Sequence, residues 1–578
     1  MVEQHVSIYK ELGRERKKLQ AEGRIPDWYT TPGWQMFKEK YQTDSEPDVR
    51  STFERISKTA SRHMGDAKEE WNTKFFNLLW NGFLAPSTPV MANMGTTRGM
   101  PVSCSGSYVG DSVYNFYEAQ KEGALLSKNG FGTSSYLGAI RERGTPIKGG
   151  GSASGVVPVF KDFVQMSRDV SQGSTRRGSW AGYIPIESGD FWEMCQHVES
   201  MPDDVNIGWN ISDEFIARLD AGDDDAIARY QKALKIKMLT GKGYFFFVDK
   251  VNRQNPPMYT DRGLQVYASN LCTEITLNAT SSESGEGFDD VTFTCVLSSI
   301  NLSKYDEMPD PDEVIFESTV FLDCTAEEFI QEGKRVRGLE KAVRFTEKGR
   351  ALGLGTLGFH TYLQKNNIAF ESMEAHMINN TIFKRLATAS ERASRWLAET
   401  LGEPEWCKGY GLRNTHRMAI APNLSSAILC GSVSQGIEPI YKNAYVQRTS
   451  AGEVDRINPV LITVMKENGV FNPKTINAII DDNGSVQDVT WLDDNQKAVF
   501  KTAFEINQEA IIRLASARQR HIDQAQSINL FFSADEKEEV ISKIHEMAFK
   551  DPFIKSLYYI RSESGVKASN GECLACEG

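Results

Sequence analysis

Between about residues 96 and 560, short apolar runs, glycine-rich loops and amphipathic stretches such as "SERASRWLAETLG" alternate without any internal repeat. That alternation constrains the chain more than any other feature. Runs this short are strands, the longer periodic stretches are helices, and their succession predicts an α/β architecture. "VTFTCVLSSINL" (291–302) has the β-branched and aromatic enrichment of a buried strand. "GMPVSCSGSYVGDS" (99–112) holds a shorter strand closed by a Gly-Asp turn. Residues 1–95 read as mostly helical, with "WNTKFFNLLWNGFL" at helical spacing and Pro86 and Pro89 expected to end that helix. The last 18 residues, "RSESGVKASNGECLACEG", lack aromatic residues and are expected to form a flexible tail. The domain reading is therefore 1–95 helical, 96–560 catalytic and 561–578 tail.

In "SNLCTEI" (269–275), a strand would put Asn270, Cys272 and Glu274 on one face and Leu271, Thr273 and Ile275 on the other. An amide, a thiol and a carboxylate make a poor core and a good reaction centre. Isolated cysteines mostly just pack, so this face alone does not establish catalysis.

Composition narrows the alternatives. With 77 acidic and 65 basic residues, a net charge of −12 argues against a broad nucleic-acid surface but leaves room for small phosphorylated ligands. No apolar run reaches membrane-spanning length, and the first 20 residues lack the apolar core of a secretion signal, so a cytoplasmic protein is expected. Nine cysteines are too few and too scattered for a disulfide framework. The final "CLAC" pair lacks a second pair to complete a zinc site. None of the eight histidines follows a glutamate by three residues, so no di-iron carboxylate motif is present and no metal site is expected in this chain.

Taken in order, "FLAPSTPVMAN", "PVSCSG", "RERGTPIKGG", "SQGSTRRG", "SNLCTEI", "TCVLSSINL", "APNLSSAI…QGIEP", "LYY" and the two-cysteine tail resemble the large, catalytic subunit of class I ribonucleotide reductase. The resemblance runs from about residue 83 to the C-terminus. It implies a ten-stranded α/β barrel made of two parallel five-stranded halves, with Cys272 on a finger loop rather than in a strand. It implies reduction of ribonucleoside diphosphates to deoxyribonucleotides, for DNA precursor synthesis. Cys272 would carry a thiyl radical, Glu274 would be general base, and Asn270 and Ser103 would orient the sugar hydroxyls. Cys104 and Cys295 would be the reducing pair, and Cys573 and Cys576 the tail pair that re-reduces them by exchange.

Tyr558 and Tyr559 would relay the radical from a separate, metal-containing small subunit, so that no cofactor is bound in this chain. Ser87, Thr88, Asn423, Ser425 and Ser426 would meet the substrate phosphates, although the "APNLSSAI…GIEP" segment is one residue longer than the family pattern. A deoxynucleoside triphosphate or ATP effector would sit on Asp111, Ser112, Arg141 and Lys148 at a homodimer interface, with Lys148 where the family has arginine. Gln172 and Arg176 would belong to the loop reporting effector identity. Thioredoxin or glutaredoxin would be the external reductant. The short lead-in before Pro86 implies that the N-terminal ATP-cone is lacking and that dATP does not switch the enzyme off through it. Three other readings remain: a class II enzyme using adenosylcobalamin without the tyrosine relay, a non-catalytic nucleotide-binding regulator, and a thiol oxidoreductase built on "CLAC" alone.

Overall fold

The computed structural model describes residues 2–170, 178–203, 205–281, 290–449 and 452–562. The N-terminal region is helical, with helices Val2–Ala21, Thr31–Lys40, Val49–Ser61 and Lys68–Trp80. Their starts are capped as their sequences dictate: Thr30 accepts from Gly33 N and Asp48 from Ser51 N. The helix expected to run to Pro86 stops at Trp80. Gly82 turns the chain at φ 69°, and a Cβ there would lie 2.8 Å from the Trp28 ring. Glycine thus ends this helix before the prolines can, and Leu84–Pro86 is already strand β1.

The barrel is assembled from the remaining strands. β2 (Cys104–Tyr108), β3 (Gly132–Tyr136), β4 (Trp180–Pro185), β5 (Ile207–Ile211) and β6 (Tyr244–Phe247) pair successively in parallel. β7 (Phe293–Asn301) runs antiparallel to β2 and pairs in parallel with β8 (Leu352–Leu357). β1 pairs antiparallel with the far end of β7. From β8 the ring continues through parallel bridges Leu354–Met418 and Ile420–Gln526. A separate hairpin, β9 (Ala444–Thr449) and β10 (Gly452–Ile457), stands off the ring. β11 (Leu530–Phe532) pairs in parallel with β13 (Ile560–Ser562), while β12 (Ser556–Leu557), just before β13, closes antiparallel on β6. The result is two parallel five-stranded halves joined antiparallel at β2–β7 and β6–β12, which is the expected barrel.

The strands are largely buried because helices cover them from outside. All nine residues of β7 and all four of β6 are buried, as parallel strands in covered sheets require. Each fully buried valine, leucine or phenylalanine contributes about 1.5–3 kcal/mol of transfer free energy. Arg561 and Ser562, expected in the tail, are the last residues of β13. Residues 563–578, with Cys573 and Cys576, lie outside the described residues, as do Gln172 and Arg176. Among the described residues no helix is long and apolar enough to cross a membrane.

Candidate active site

The segment 264–279, between β6 and β7, forms no strand. The strand reading of "SNLCTEI" is overturned: Leu271 and Cys272 form a turn and Thr273 takes φ 70°. Burial on every side gives a loop the apolar look of a strand, and here its polar backbone is satisfied by side chains from both halves of the barrel. Ser134 of β3 donates to Ser269 O at 2.8 Å, and Tyr183 of β4 to Asn270 O at 2.6 Å. Asn210 of β5 donates to Tyr267 O. From the other half, Ser527 donates to Cys272 O at 2.5 Å and Ser556 to Thr273 O at 3.0 Å. The loop is a peg held from around the barrel wall.

Despite the failed strand reading, Asn270 and Glu274 meet directly, and Cys272 is tied to Glu274 through Ser527. Asn270 Nδ2 donates to Glu274 Oε1 at 2.9 Å and to Cys104 Sγ at 3.1 Å. Its Oδ1 accepts from Ile275 N and from Ser269 Oγ, which fixes the amide orientation. Glu274 Oε2 lies 3.1 Å from Ser527 Oγ, whose single proton it shares with Cys272 O. Burial pushes the Glu274 carboxyl up to about 7, against the pull of the Asn270 and Ser527 hydrogen bonds. A carboxyl held near neutrality is suited to proton transfer.

Cys104 and Cys295 are direct partners in the antiparallel β2–β7 register, and both are thiols. β8 comes close behind Cys295 because its residue there is Gly353; a Cβ would lie 2.9 Å from Sγ. Burial pushes the Cys295 thiol well above its usual value, opposed by a hydrogen bond from Gln524.

On the far side, Tyr558 Oη donates to Cys272 Sγ at 3.5 Å. The Tyr558 and Tyr559 rings lie 3.9 Å apart between centroids, and Tyr244 packs on both at 4.9 and 5.7 Å. Buried Lys237 donates to Tyr558 O and Gly243 O, and burial lowers its ammonium to about 7. Aromatic contact and thiol contact thus form one continuous path from Tyr559 to Cys272.

Ser87, Asn423 and Ser426 line one cleft together with Ser298 and Ser299 of β7. Ser103 Oγ donates to Ser87 Oγ at 3.3 Å, tying the cleft to the strand that carries Cys104. Ser425 is buried in the short helix Leu424–Leu429, whose N-terminus Asn423 occupies. Asn423 does not cap that helix: Nδ2 donates to Ser299 Oγ and Thr356 O, and Oδ1 accepts from Gly436 N. Thr88 Oγ1 is hydrogen-bonded to Tyr41 Oη at 3.0 Å.

The effector candidates meet in part. Arg141 Nε donates to Asp111 Oδ2 at 2.6 Å, and Ser112 caps the helix Val113–Lys128 through Asn115 N. Lys148 is exposed on the turn closed by the Pro146–Ser152 bridge.

Ser527, Gln524, Tyr183, Tyr244 and Lys237 were not read from the sequence. Each is brought to the centre by barrel closure across long sequence separations. The "DQAQS" run (523–527) offered the one local hint, a cluster of amides and a hydroxyl in a buried stretch.

The family model described as "Ribonucleotide reductase, barrel domain" matches residues 102–229, 225–408 and 404–560. The one described as "Ribonucleotide reductase, all-alpha domain" matches residues 27–99. The chain is 32% identical over 556 residues to a putative ribonucleoside-diphosphate reductase large subunit of Frog virus 3, covering 90% of this chain and 95% of that one. It is 27% identical to the ribonucleoside-diphosphate reductase large subunit of Invertebrate iridescent virus 3, covering 94% and 98%. Among solved structures, the Actinobacillus ureae class Id ribonucleotide reductase alpha subunit matches with a TM-score of 0.85 and 37% identity, covering 93% of this chain and 98% of that one.

Proposed function

Because this chain belongs to the large-subunit family of ribonucleotide reductases, we propose that Cys272 is its hydrogen-abstracting residue and that Cys104 and Cys295 supply the reducing equivalents. The chain is a ribonucleoside-diphosphate reductase large subunit, an oxidoreductase that makes deoxyribonucleotides for DNA synthesis. The family works with a small subunit, and the class II alternative is not favoured by the class Id neighbour.

The observation that supports the site assignment is a pair of buried hydrogen-bonded groups, Tyr558–Cys272 and Glu274–Asn270–Cys104, linked through Ser527, which contacts both Cys272 O and the Glu274 carboxyl. In this reading the Cys272 S–H gives its hydrogen atom to an oxidised Tyr558, and the thiyl radical takes the 3′ hydrogen of the ribose. Glu274 accepts the 3′-hydroxyl proton. The 2′-hydroxyl leaves as water with a proton from Cys104. Cys104 and Cys295 together give up two electrons and become a disulfide, the Cys295 proton goes to the 2′ carbon, and Glu274 returns its proton to the 3′ oxygen. Cys272 then returns hydrogen to the 3′ carbon, so the net change is C–OH plus two thiols to C–H, a disulfide and water.

Asn270 and Ser103 orient the sugar. Ser87, Ser425 and Ser426 face the diphosphate, with Asn423 shaping the cleft beneath them and Thr88 at its edge. Cys573 and Cys576 re-reduce the pair and are themselves reduced by thioredoxin or glutaredoxin. Functional units then follow as a helical region 1–95, a barrel 96–562 and a redox tail 563–578. Asp111, Ser112, Arg141 and Lys148 hold a deoxynucleoside triphosphate or ATP, with Gln172 and Arg176 on the reporting loop. Homodimer formation on this face is supported by exposed Val113, Tyr114 and Tyr117 just after Asp111.

The test is cytidine diphosphate reduction by the purified chain with ATP and dithiothreitol, run with a small subunit, with adenosylcobalamin, and with neither. Turnover dependent on the small subunit is expected. Turnover with adenosylcobalamin alone would assign the chain to class II and leave Tyr558 and Tyr559 as packing residues.

A further inference from the structure

Gln524 is fully buried, and its amide orientation is settled by two backbone groups. Oε1 accepts from Thr276 N at 3.1 Å, and Nε2 donates to Leu352 O at 2.8 Å. A flipped amide would set N–H against N–H and oxygen against oxygen. The remaining N–H is directed at Cys295 Sγ, 3.6 Å from Nε2.

The two cysteines of the pair stand in different surroundings. Cys295 is 1% exposed, deep in β7 with Gly353 behind it, while Cys104 is 5% exposed and shares Asn270 with the Glu274 carboxylate. Both are buried, with Cys104 the slightly more exposed of the two. A carboxylate so near also disfavours leaving negative charge there, even with the Asn270 hydrogen bond. Burial above all pushes the Cys295 thiol up, with Cys104, Glu274 and Asp523 adding to it, and the Gln524 N–H is the interaction that opposes them.

We propose that Gln524 is a positioning residue that makes Cys295 the leaving sulfur when the Cys104–Cys295 disulfide is re-reduced, so that the incoming thiol attacks Cys104. The proposal rests on the reading of these two cysteines as the redox pair. In the step, a thiolate forms a new S–S bond to Cys104 and the old S–S bond breaks. The electron pair departs on Cys295 Sγ, which receives the Gln524 N–H and then a proton. A second thiolate, from the same reductant, resolves the mixed disulfide and leaves Cys104 as a thiol. A better-stabilised leaving thiolate departs faster.

The test uses the full chain carrying Cys573→Ser and Cys576→Ser, oxidised by turnover with the small subunit and no reductant. Glutathione is added, the reaction is quenched in acid, free thiols are alkylated and the peptides are mapped. The expected result is a glutathione adduct on the Cys104 peptide and alkylation of Cys295. Gln524→Met should slow re-reduction about tenfold, as loss of a hydrogen bond to a developing thiolate requires, and spread adducts over both cysteines. Gln526→Met is the control, because Gln526 is equally buried in the same segment but donates to Ala515 O and Gln519 Oε1. It should leave the partition between the cysteines unchanged.

Should Gln524→Met not fold, Gln524→Glu keeps the acceptor for Thr276 N and replaces the donor by oxygen; the same loss is expected. Adducts on Cys295 in the parent, a Gln524 variant with parental rate and partition, or an equal effect of Gln526→Met would each overturn the proposal. Absence of a Cys104–Cys295 disulfide after turnover would overturn the redox-pair reading itself, and this proposal with it.

Discussion

Tyr558 points its hydroxyl at the Cys272 sulfur, 3.5 Å away, from a position 286 residues further along the chain. Replacing Tyr558 by phenylalanine removes that O–H and keeps the ring, its stacking on Tyr559 and its packing on Tyr244. The lost hydrogen bond is worth about 0.5–1.5 kcal/mol, so the chain should remain folded. Turnover with the small subunit should nevertheless fall to assay background, while nucleotide binding by isothermal titration stays at the parental level. Substantial turnover by Tyr558→Phe would remove Tyr558 from the radical path.

Glu274 makes a pH-dependent prediction. Its carboxyl titrates at about 7 in the fold against an ordinary 4.5. Between those values the folded chain holds a proton that the unfolded chain releases, so this group's contribution to stability falls as pH rises from about 4.5 to about 7 and is flat above. Glu274→Gln removes that loss. It should be more stable than the parent at pH 8, by up to about 3 kcal/mol in urea unfolding, and equal to it at pH 4. The same substitution should abolish turnover, since an amide accepts no 3′-hydroxyl proton. In the parent, kcat/KM should rise with pH through about 7. A variant that is destabilised equally at both pH values would show that the buried carboxylate carries no such cost.

These two residues also mark what the sequence made legible. β7 could be read from its own composition, because its β-branched, aromatic and aliphatic residues suit a strand buried along its whole length. The Asn270–Cys272–Glu274 set was found through a period-two argument that describes the wrong structure. The loop turns back at Thr273, so Asn270 and Glu274 meet by curvature rather than by sharing the face of a strand, and Cys272 joins them through Ser527. Ser527 and Gln524 could not be found that way. They reach Glu274 and Cys295 across separations of 253 and 229 residues, and only closure of the barrel creates that proximity. The end of the helix at Trp80 was missed for a related reason: the tight fit of Gly82 on Trp28 is tertiary, whereas the prolines were visible locally.

Asn423 divides scaffold from ligand contact. Both of its N–H groups are spent on Ser299 Oγ and Thr356 O, and its oxygen holds Gly436 N. Asn423→Ala would leave buried backbone groups unpaired at a cost of about 1–3 kcal/mol, visible as a lower Tm. Ser426→Ala leaves behind only Pro86 O, which lost one donor, and should cost less stability. It should still raise KM for the diphosphate. An Asn423→Ala chain of unchanged Tm and raised KM would reverse the two roles.

Cys104 and Cys295 face each other across antiparallel strands, a placement with consequences for both chemistry and stability. Direct cross-strand partners have Cβ atoms about 4.5–5.5 Å apart, a little wider than the roughly 3.5–4.5 Å a disulfide takes, so a small strand shift suffices to join them. With Cys573→Ser and Cys576→Ser in place, turnover without reductant should consume two thiols per active chain, counted in denaturant with a thiol reagent. The oxidised chain should then be more stable than the reduced one, on the order of 2–4 kcal/mol, because the new bond closes a long loop of the unfolded chain. Cys295→Ser should lose no thiol in this way and gain no stability. If it too loses two thiols on turnover, Cys104 pairs elsewhere, and the β2–β7 register has no part in the redox chemistry.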